Sequence, residues 1–229
     1  MAKSPPTAGA RRGKLLKILA FALLGPGAVI LLGAVFLFSG SEVACDEIEV
    51  PGGGPALRCA FDVEATPRAV WDTFTRTDEP QPHYFDAVLQ AEMHPGGRWR
   101  FVTDDLERLL ADGEVLAVEP PRRFQQTFRA ADLQEPPSRI TVELEPSAIG
   151  TRVTLTHDRF PRRTVTYRRF RKAHPLALSA MKARLETGEL PIRARIYTWI
   201  FKPGMKSVSA RAEPWQPRNP VSSGTPQEN

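Results

Sequence analysis

The residues best suited to chemistry in this sequence are its four histidines, because imidazole titrates near neutral pH. They are His83, His94, His157 and His174. Their spacing fits no metal-ligand pattern, so neither a metal site nor a cofactor is predicted. His157 follows Val153 and Leu155 at every second position of a predicted strand and therefore shares their apolar face. It could position a ligand there or act as a general base. The alternative is a strand-end histidine bonded to a carbonyl group.

No known catalytic motif accompanies these histidines. The sequence has no phosphate-binding glycine loop, no His-Glu-x-x-His, no Gly-x-Ser-x-Gly and no Cys-x-x-Cys. Catalysis is therefore not predicted. A cyclase-like or hydrolase-like reaction that uses His157 with Asp158 or a nearby carboxylate stays open as an alternative.

Apolar side chains are the better candidates for a binding site, since ligand sites are mainly apolar with few polar anchors. Trp99 and Phe101 alternate with Arg98 and Arg100, which places the aromatic rings on one face of a strand and the guanidinium groups on the other. Apolar and aromatic residues of this kind are expected to face the space between the predicted sheet and the predicted long C-terminal helix, both of which are described below. The candidate ligand-binding residues are Phe74, Tyr84, Phe85, Trp99, Phe101, Phe124, His157 and Met181.

Breaks in the sequence define the elements that must position these residues. A strand at 57–64 precedes a helix at 67–76, where Thr66 can cap the helix and Pro67 suits its first turn. Proline- and glycine-rich turns separate the following strands, which indicates an antiparallel sheet. A long helix at about 166–187 then ends at Gly188. The further strands are predicted at 88–93, 98–103, 113–119, 123–128, 139–145 and 152–158.

The N-terminal region predicts a membrane anchor. Residues 18–38 carry no charge and would span about 32 Å as a helix, which matches a bilayer core. Basic residues precede this segment, and the first one after it is Arg58, so the N-terminus is expected in the cytoplasm. The globular domain would then lie on the extracytoplasmic side of the cytoplasmic (inner or plasma) membrane. A cleaved signal peptide is the alternative, which the length of the apolar segment disfavours.

The two cysteines, Cys45 and Cys59, bear on the same question. In an oxidising space outside the cytoplasm they could form a disulfide between the start of the domain and its first strand. Two unrelated thiols are the alternative. The spacing of the two residues does not distinguish these interpretations, because a disulfide depends on their separation in the folded chain.

Charge is unevenly distributed along the chain. Residues 42–158 contain 22 acidic side chains and 11 arginines, a net charge of −11, whereas residues 159–229 contain 15 basic and 4 acidic side chains, a net charge of +11. The basic C-terminal part could contact anionic lipid headgroups, and the mixture of aromatic and basic residues at 197–206 suits a membrane interface. Alternatively it packs on the acidic part of its own domain. Nucleic acid is not predicted as a partner, because an exported domain rarely meets it.

These features divide the chain into six parts. They are a basic cytoplasmic N-terminus (1–17), a transmembrane helix (18–38), a linker (39–54), a folded domain (55–190), a basic aromatic extension (191–206) and a disordered tail (207–229). The linker prediction depends on the glycine-rich stretch at 52–54. The prediction of disorder depends on the proline, serine and glutamine content of the tail.

Five dispersed motifs carry a more specific signal. In order they are ATPRAVW (65–71), PGGRW (95–99), DGEV with EPPRRF (112–115 and 119–124), GTRVTLTH (150–157) and LETG (185–188). Together they resemble the SRPBCC superfamily, and within it the activator-of-heat-shock-protein-90-ATPase-like branch. The resemblance implies an α+β helix-grip (START-like) fold, in which a curved antiparallel sheet wraps around a long C-terminal helix. In this chain one transmembrane helix would precede that fold.

The resemblance also implies a cavity between sheet and helix. We therefore expect a membrane-anchored module that binds a hydrophobic or amphipathic small molecule or lipid. The alternatives are the enzyme using His157 and a protein-interaction or chaperone-regulator module, which would have a filled core. The chaperone role named for the branch needs a cytosolic partner, and the expected topology opposes it. No protein partner is identified.

Overall fold

An antiparallel sheet and the helices on its concave face make up the region that the computed structural model describes, residues 42–51 and 53–217. The strands are β1 (Cys45–Val50), β2 (Gly54–Val63), β3 (Pro80–Gln81), β4 (Ala87–Ala91), β5 (Arg98–Val102), β6 (Arg108–Glu119), β7 (Arg123–Ala130), β8 (Ser138–Ser147), β9 (Gly150–Asp158) and β10 (Ala210–Arg211). The helices are α1 (Pro67–Thr75), a 3-10 turn (Pro82–Tyr84), α2 (Val165–Thr187) and α3 (Ile192–Val208).

The strand order is β1-β2-β9-β8-β7-β6-β5-β4-β3, and β10 pairs with the start of β6. All of these pairings are antiparallel. Register shifts interrupt the pairing of β6 with both of its neighbours, β5 and β7, and such bulges bend a sheet. The predicted α+β helix-grip fold, with a curved antiparallel sheet and a long C-terminal helix, is confirmed.

Trp99 fixes the middle of the curved sheet. It lies directly opposite Gly113 in the pairing of β5 with β6, and its indole Nε1–H donates to the carbonyl oxygen of Thr127 on β7 at 2.9 Å. A side chain at Gly113 would collide with both of these groups. Because glycine leaves the indole room to cross β6, one tryptophan connects three strands.

Local sequence signals explain where the helices begin and end. The Thr66 hydroxyl accepts a hydrogen bond from the backbone N–H of Ala69 at the start of α1. At the start of α2, the Glu135 carboxylate accepts from the N–H groups of Val165 and Thr166, where the positive end of the helix dipole favours an anion. Helix α2 ends at Gly188, which adopts a left-handed conformation.

The prediction of a linker at 39–54 needs correction, because part of that segment is a strand. Strand β1 pairs along its whole length with β2, and Cys45 lies directly opposite Cys59. These two cysteines form a disulfide. The Val43 side chain is buried, and its N–H donates to the Ser179 hydroxyl of α2. The domain therefore starts at about residue 43 instead of residue 55.

The prediction of disorder from residue 207 onward also needs correction. Helix α3 extends to Val208, and β10 follows it directly. The Trp215 ring then packs against the guanidinium groups of Arg98 and Arg100, whose carbon centres lie 5.3 and 4.9 Å from the ring centroid. Strand pairing of β10 and the cation–π contacts of Trp215 therefore hold the chain as far as residue 215.

The N-terminal predictions lie outside the described residues. They comprise the basic segment 1–17 and the transmembrane helix 18–38. Within residues 42–51 and 53–217, no helix combines the length and apolar character needed to cross a membrane.

The basic C-terminal part packs on the acidic part of the domain, as one of the two charge interpretations predicted. On α2, Arg171 pairs with Glu47 of β1 at 2.9 Å, and Arg169 pairs with Asp132 at 2.7 Å. On α3, the Lys202 ammonium group lies 2.7 Å from a carboxylate oxygen of Asp86. Pairs of this kind at a partly exposed surface are individually weak, but here they join both C-terminal helices to the rest of the domain.

Three of the four histidines are buried in the core. His83, His157 and His174 are each less than one tenth exposed. Burial lowers the pKa of His83 and His174 to about 3, because the charged form is poorly solvated there. Burial likewise lowers the pKa of His157 well below its ordinary value, and the neighbouring His174 adds to the effect. All three imidazoles are therefore neutral near pH 7.

These histidines predict that stability falls in mild acid. Histidines of the unfolded chain bind protons at a pKa near 6.5, whereas His83 and His174 in the folded chain have a pKa of about 3, and the pKa of His157 is also lowered. The stabilisation is thus complete above pH 6.5 and is lost as the pH falls. Between pH 7 and pH 5.5 the free energy of unfolding should decrease by about 1 kcal/mol for each buried histidine. Urea unfolding at the two pH values measures this decrease.

A matched pair of variants isolates one of these contributions. Neither ring nitrogen of His83 has a hydrogen-bond partner among the described residues, so His83→Phe should reduce the pH dependence by about one third. Ile149→Phe, which adds the same ring at an exposed position and removes no histidine, should leave the pH dependence unchanged. An unfolding free energy that is equal at both pH values in the unmodified chain would contradict the prediction.

Candidate functional site

A cavity of about 610 Å³ lies between the concave face of the sheet, α2 and α3. Its wall is almost entirely apolar and rich in aromatic rings. The 3-10 turn and the residue after it close one side with Tyr84 and Phe85. The sheet contributes Phe101 and Phe124, and α2 contributes Phe170. A volume of this size falls in the range that small-molecule sites occupy.

Small side chains account for the empty space. Ala111 of β6 lies directly opposite Ala130 of β7 in the sheet, and both lie on the cavity wall. Ala87 of β4 and Ala173 of α2 also line it. Protein interiors are normally close-packed, so four alanines facing one space leave a gap that larger residues would have filled.

Helix α3 closes the cavity with one of its faces. Tyr197, Phe201 and Met205 follow one another at intervals of four residues and all line the wall. The Tyr197 ring stacks on Phe201, with centroids 4.2 Å apart, and lies 5.5 Å from the Phe85 ring. The sequence predicted the aromatic character of this segment but not its place on the cavity. The four-residue spacing was the signal that could have revealed it.

Ion pairs hold α3 in this position. Lys202 lies within 2.9 Å of both Asp86 and Asp104, and Lys206 binds Asp104 and Asp105. These pairs lower the pKa of the Asp104 carboxyl and raise the pKa of Lys202, so both groups are charged at neutral pH. Phe85 and Asp86, which contact the helix, both have a positive φ near 60°. Non-glycine residues in this conformation are uncommon and occur where contacts compensate the strain.

Two buried polar side chains interrupt the apolar wall. Gln126 lies on β7 between Phe124 and Phe128, and His174 lies on α2. The Gln126 side chain is only 6% exposed, and its Oε1 atom accepts no hydrogen bond from any described residue. Neither residue was among the predicted ligand-binding residues. Gln126 could have been found from its period-two spacing with the two phenylalanines.

His174 belongs to a buried chain of hydrogen bonds. Its Nε2 atom lies 3.0 Å from Nδ1 of His157, and His157 Nε2 lies 2.8 Å from the Ser138 hydroxyl oxygen. That hydroxyl also donates to the Phe128 carbonyl oxygen at 3.2 Å. The chain thus runs from the sheet to the cavity wall, where His174 is its last member.

The structure separates the eight predicted ligand-binding residues into two groups. Five of them line the cavity: Phe74, Tyr84, Phe85, Phe101 and Phe124. Trp99, His157 and Met181 lie behind the wall and are each at most 1% exposed. The Trp99 ring crosses β6 and donates a hydrogen bond to β7, so it is not free to contact a ligand. Both His157 nitrogens likewise form hydrogen bonds within the protein. Met181 is a residue of α2 and packs in the core.

The groups proposed for the alternative catalytic mechanism do not assemble. Asp158 faces away from His157 and binds the Arg139 guanidinium group, with an Nε–Oδ1 distance of 2.8 Å. The His157 ring contacts Phe128, Phe160 and Phe170. Among the described residues, no three His, Cys, Asp or Glu side chains come close enough together to hold a metal ion.

Several solved structures are similar to this chain. A conserved protein of unknown function from Enterococcus faecalis, EF2215, gives a TM-score of 0.52 at 13% identity, over 77% of this chain and 98% of its own. CalU16 from Micromonospora echinospora gives 0.48 at 17% identity, over 72% and 98%. The Aha1 dimer from Colwellia psychrerythraea gives 0.49 at 17% identity, over 58% and 98%. At such identities the first similarity shows the fold alone.

The sequence itself also matches a known family. No curated protein sequence matches the chain. The family model described as Activator of Hsp90 ATPase homolog 1-like protein matches residues 64–186, more than half of the chain. These residues run from the start of α1 almost to the end of α2, whereas β1 and α3 lie outside them. The chain therefore belongs to the family of Activator of Hsp90 ATPase homolog 1-like proteins.

Proposed function

We propose that this protein binds a hydrophobic or amphipathic small molecule, such as a lipid, in the cavity between the sheet and its C-terminal helices. The observation that carries the proposal is the cavity itself, about 610 Å³ in volume and lined mainly by aromatic and aliphatic side chains. An empty apolar space costs stability, because its lining residues lose contacts. A bound molecule of matching shape would restore these contacts and bury apolar surface.

The cavity favours this proposal over its two rivals. A protein-interaction module needs no internal space, so it would be expected to have a filled core. The family name suggests a chaperone regulator, but the disulfide between Cys45 and Cys59 is a feature of oxidising compartments, not of the cytosol. An enzyme using His157 would need that residue at the cavity, and its ring is fully buried.

The proposal includes attachment to a membrane. The uncharged segment 18–38 and the basic residues before it support a single-pass anchor with the N-terminus inside and the domain outside. The disulfide supports the same side. The outward face of α3 adds a further argument, because Ile192, Ile196, Trp199 and Ile200 are 65, 36, 78 and 44% exposed. Exposed tryptophan and isoleucine side chains on one helix face suit the surface of a bilayer.

Filling the cavity should abolish binding. The probe is 2-methoxynaphthalene, a neutral aromatic ether, added to the full-length chain at one fixed detergent concentration. The probe should raise the Tm of the unmodified chain by about 2–4 °C for each kcal/mol by which its binding stabilises the folded state. Ala111→Phe places a ring in the cavity and should weaken binding about tenfold or more. The shift in Tm, followed by intrinsic fluorescence, measures this loss.

Two further variants control for the effects of added bulk. Ala117→Phe carries the same change on the same strand, but Ala117 lies opposite Gln125 and faces the other side of the sheet, so binding should persist. Ala173→Phe fills the cavity from α2 in case Ala111→Phe folds poorly. An equal Tm shift in all variants, or no shift in the unmodified chain, would overturn the proposal.

The proposed location predicts the oxidation state of the cysteines in cells. In membranes prepared without reductant and denatured, a maleimide reagent should label neither Cys45 nor Cys59, and reduction should expose both thiols. A reporter that is active only outside the cytoplasm, fused after residue 229, should give signal. Two labelled thiols together with a silent reporter would place the domain in the cytoplasm and reopen the chaperone-regulator interpretation.

A further inference from the structure

Gln126 is an unusual residue for its position. Its side chain is 6% exposed and projects from β7 into the cavity, yet its Oε1 atom has no hydrogen-bond partner within the described residues. Most buried amide oxygens are paired, because an unpaired one loses its hydrogen bonds to water and gains nothing in return. An apolar residue would fit this wall better unless the amide has a partner that enters the cavity.

The neighbours of Gln126 in the sheet cannot supply that partner. Gln126, Ile140 and His157 lie side by side on β7, β8 and β9, in one row across the concave face. Ile140 has no polar side-chain atom. The two nitrogens of His157 are already occupied by Ser138 and His174. The Gln126 oxygen is thus left facing the cavity.

The hydrogen-bond chain behind the wall fixes the role of His174. The proton assignment that satisfies every contact of the chain has the Ser138 hydroxyl donate to the Phe128 carbonyl oxygen and His157 Nε2–H donate to the Ser138 oxygen. His157 Nδ1 then lacks a proton and accepts from His174 Nε2. In neutral His174 this leaves Nδ1 unprotonated, and that atom can only accept a hydrogen bond. This assignment uses all three contacts of the chain.

Several other polar groups of the wall are already paired or lie towards solvent. Arg169 and Asp132 pair with each other at 2.7 Å. The Ser209 hydroxyl donates to the carbonyl oxygen of Met205. Lys172 is exposed, so an anionic group would bind there at the surface and not beside Gln126. Among the described residues, the wall atom that is buried without a hydrogen-bond partner is therefore Gln126 Oε1, which can only accept a hydrogen bond.

We propose that the ligand is a neutral, largely apolar molecule with a hydroxyl or N–H group, and that Gln126 Oε1 accepts the hydrogen bond that this group donates. This inference rests on the proposed function, since it names the class of ligand for the same cavity. Ethers and ketones of the same shape have no donor and would leave the Gln126 oxygen unpaired. A site built to bond a donor discriminates strongly against analogues that lack it. The predicted class is thus apolar alcohols, phenols and amides.

A matched pair of probes tests the inference. 2-Naphthol and 2-methoxynaphthalene differ in the donor, and their affinities for the full-length chain are measured by titration calorimetry at one detergent concentration. The unmodified chain should bind the naphthol about tenfold more tightly than its ether. In Gln126→Met, whose side chain has nearly the same length, this ratio should fall to about one. Gln125→Met changes the neighbouring glutamine, which bonds Thr141 on the other face, and should keep the tenfold ratio.

A second readout separates a ligand-binding role from a structural one. If Gln126 is retained for the ligand, Gln126→Met removes an unpaired buried amide and should raise the Tm of the ligand-free chain. A lower Tm would show that Gln126 stabilises the fold and would overturn the inference. Equal affinities of the two probes for the unmodified chain would also overturn it, while the proposed function would stand. If neither probe binds, the proposed function fails and the inference fails with it.

Discussion

The concave face of the sheet must be covered, and the covering is divided between two helices that are held by different forces. Helix α2 buries Leu178 and Met181 in the main core and is therefore fixed largely by the hydrophobic effect. None of the described side chains of α3 belongs to that core, and the helix is held by ion pairs from Lys202 and Lys206 and by the contact of Tyr197 with Phe85. The cavity lies next to both helices, and residues of both line its wall.

Many charged groups of this molecule therefore act within the domain, where their ion pairs hold the C-terminal helices in place. The opposite net charges of the two halves of the chain allowed two interpretations, a basic surface for an external partner or packing within the domain. Several of the basic groups in fact pair with carboxylates of the same domain. Ion pairs at an exposed surface weaken with salt, whereas apolar packing does not. Helix α3 should consequently respond to ionic strength more than α2. Because α3 can loosen without disturbing the core, its movement would widen the access of a ligand to the cavity.

The sheet and its long helix could be predicted because their signals are local. Alternating residues, caps such as Thr66 and the stop at Gly188 all act within a few positions. Strand β1 escaped prediction because it is an edge strand with acidic residues at 46, 47 and 49, and its stability comes from β2 and the disulfide. Helix α3 continues through Pro203 and Gly204, which usually end a helix. The position of Trp215 depends on its contacts with Arg98 and Arg100, which lie more than a hundred residues away in the sequence and give no local signal.

The candidate site was harder to predict, because alternation identifies a face and not a volume. Trp99 and Phe101 lie on the same face of the same strand, yet only Phe101 lines the cavity. Their cross-strand partners explain the difference, since Trp99 lies opposite Gly113 and crosses it, whereas Phe101 lies opposite Ala111 on the wall. A cavity forms where small residues from distant segments face one another, so it depends on sums of volumes that no single segment encodes. A polar group in the wall is equally hard to predict. The sequence shows Gln126 as an ordinary strand residue, and only the folded structure shows that no neighbouring residue forms a hydrogen bond with its Oε1 atom.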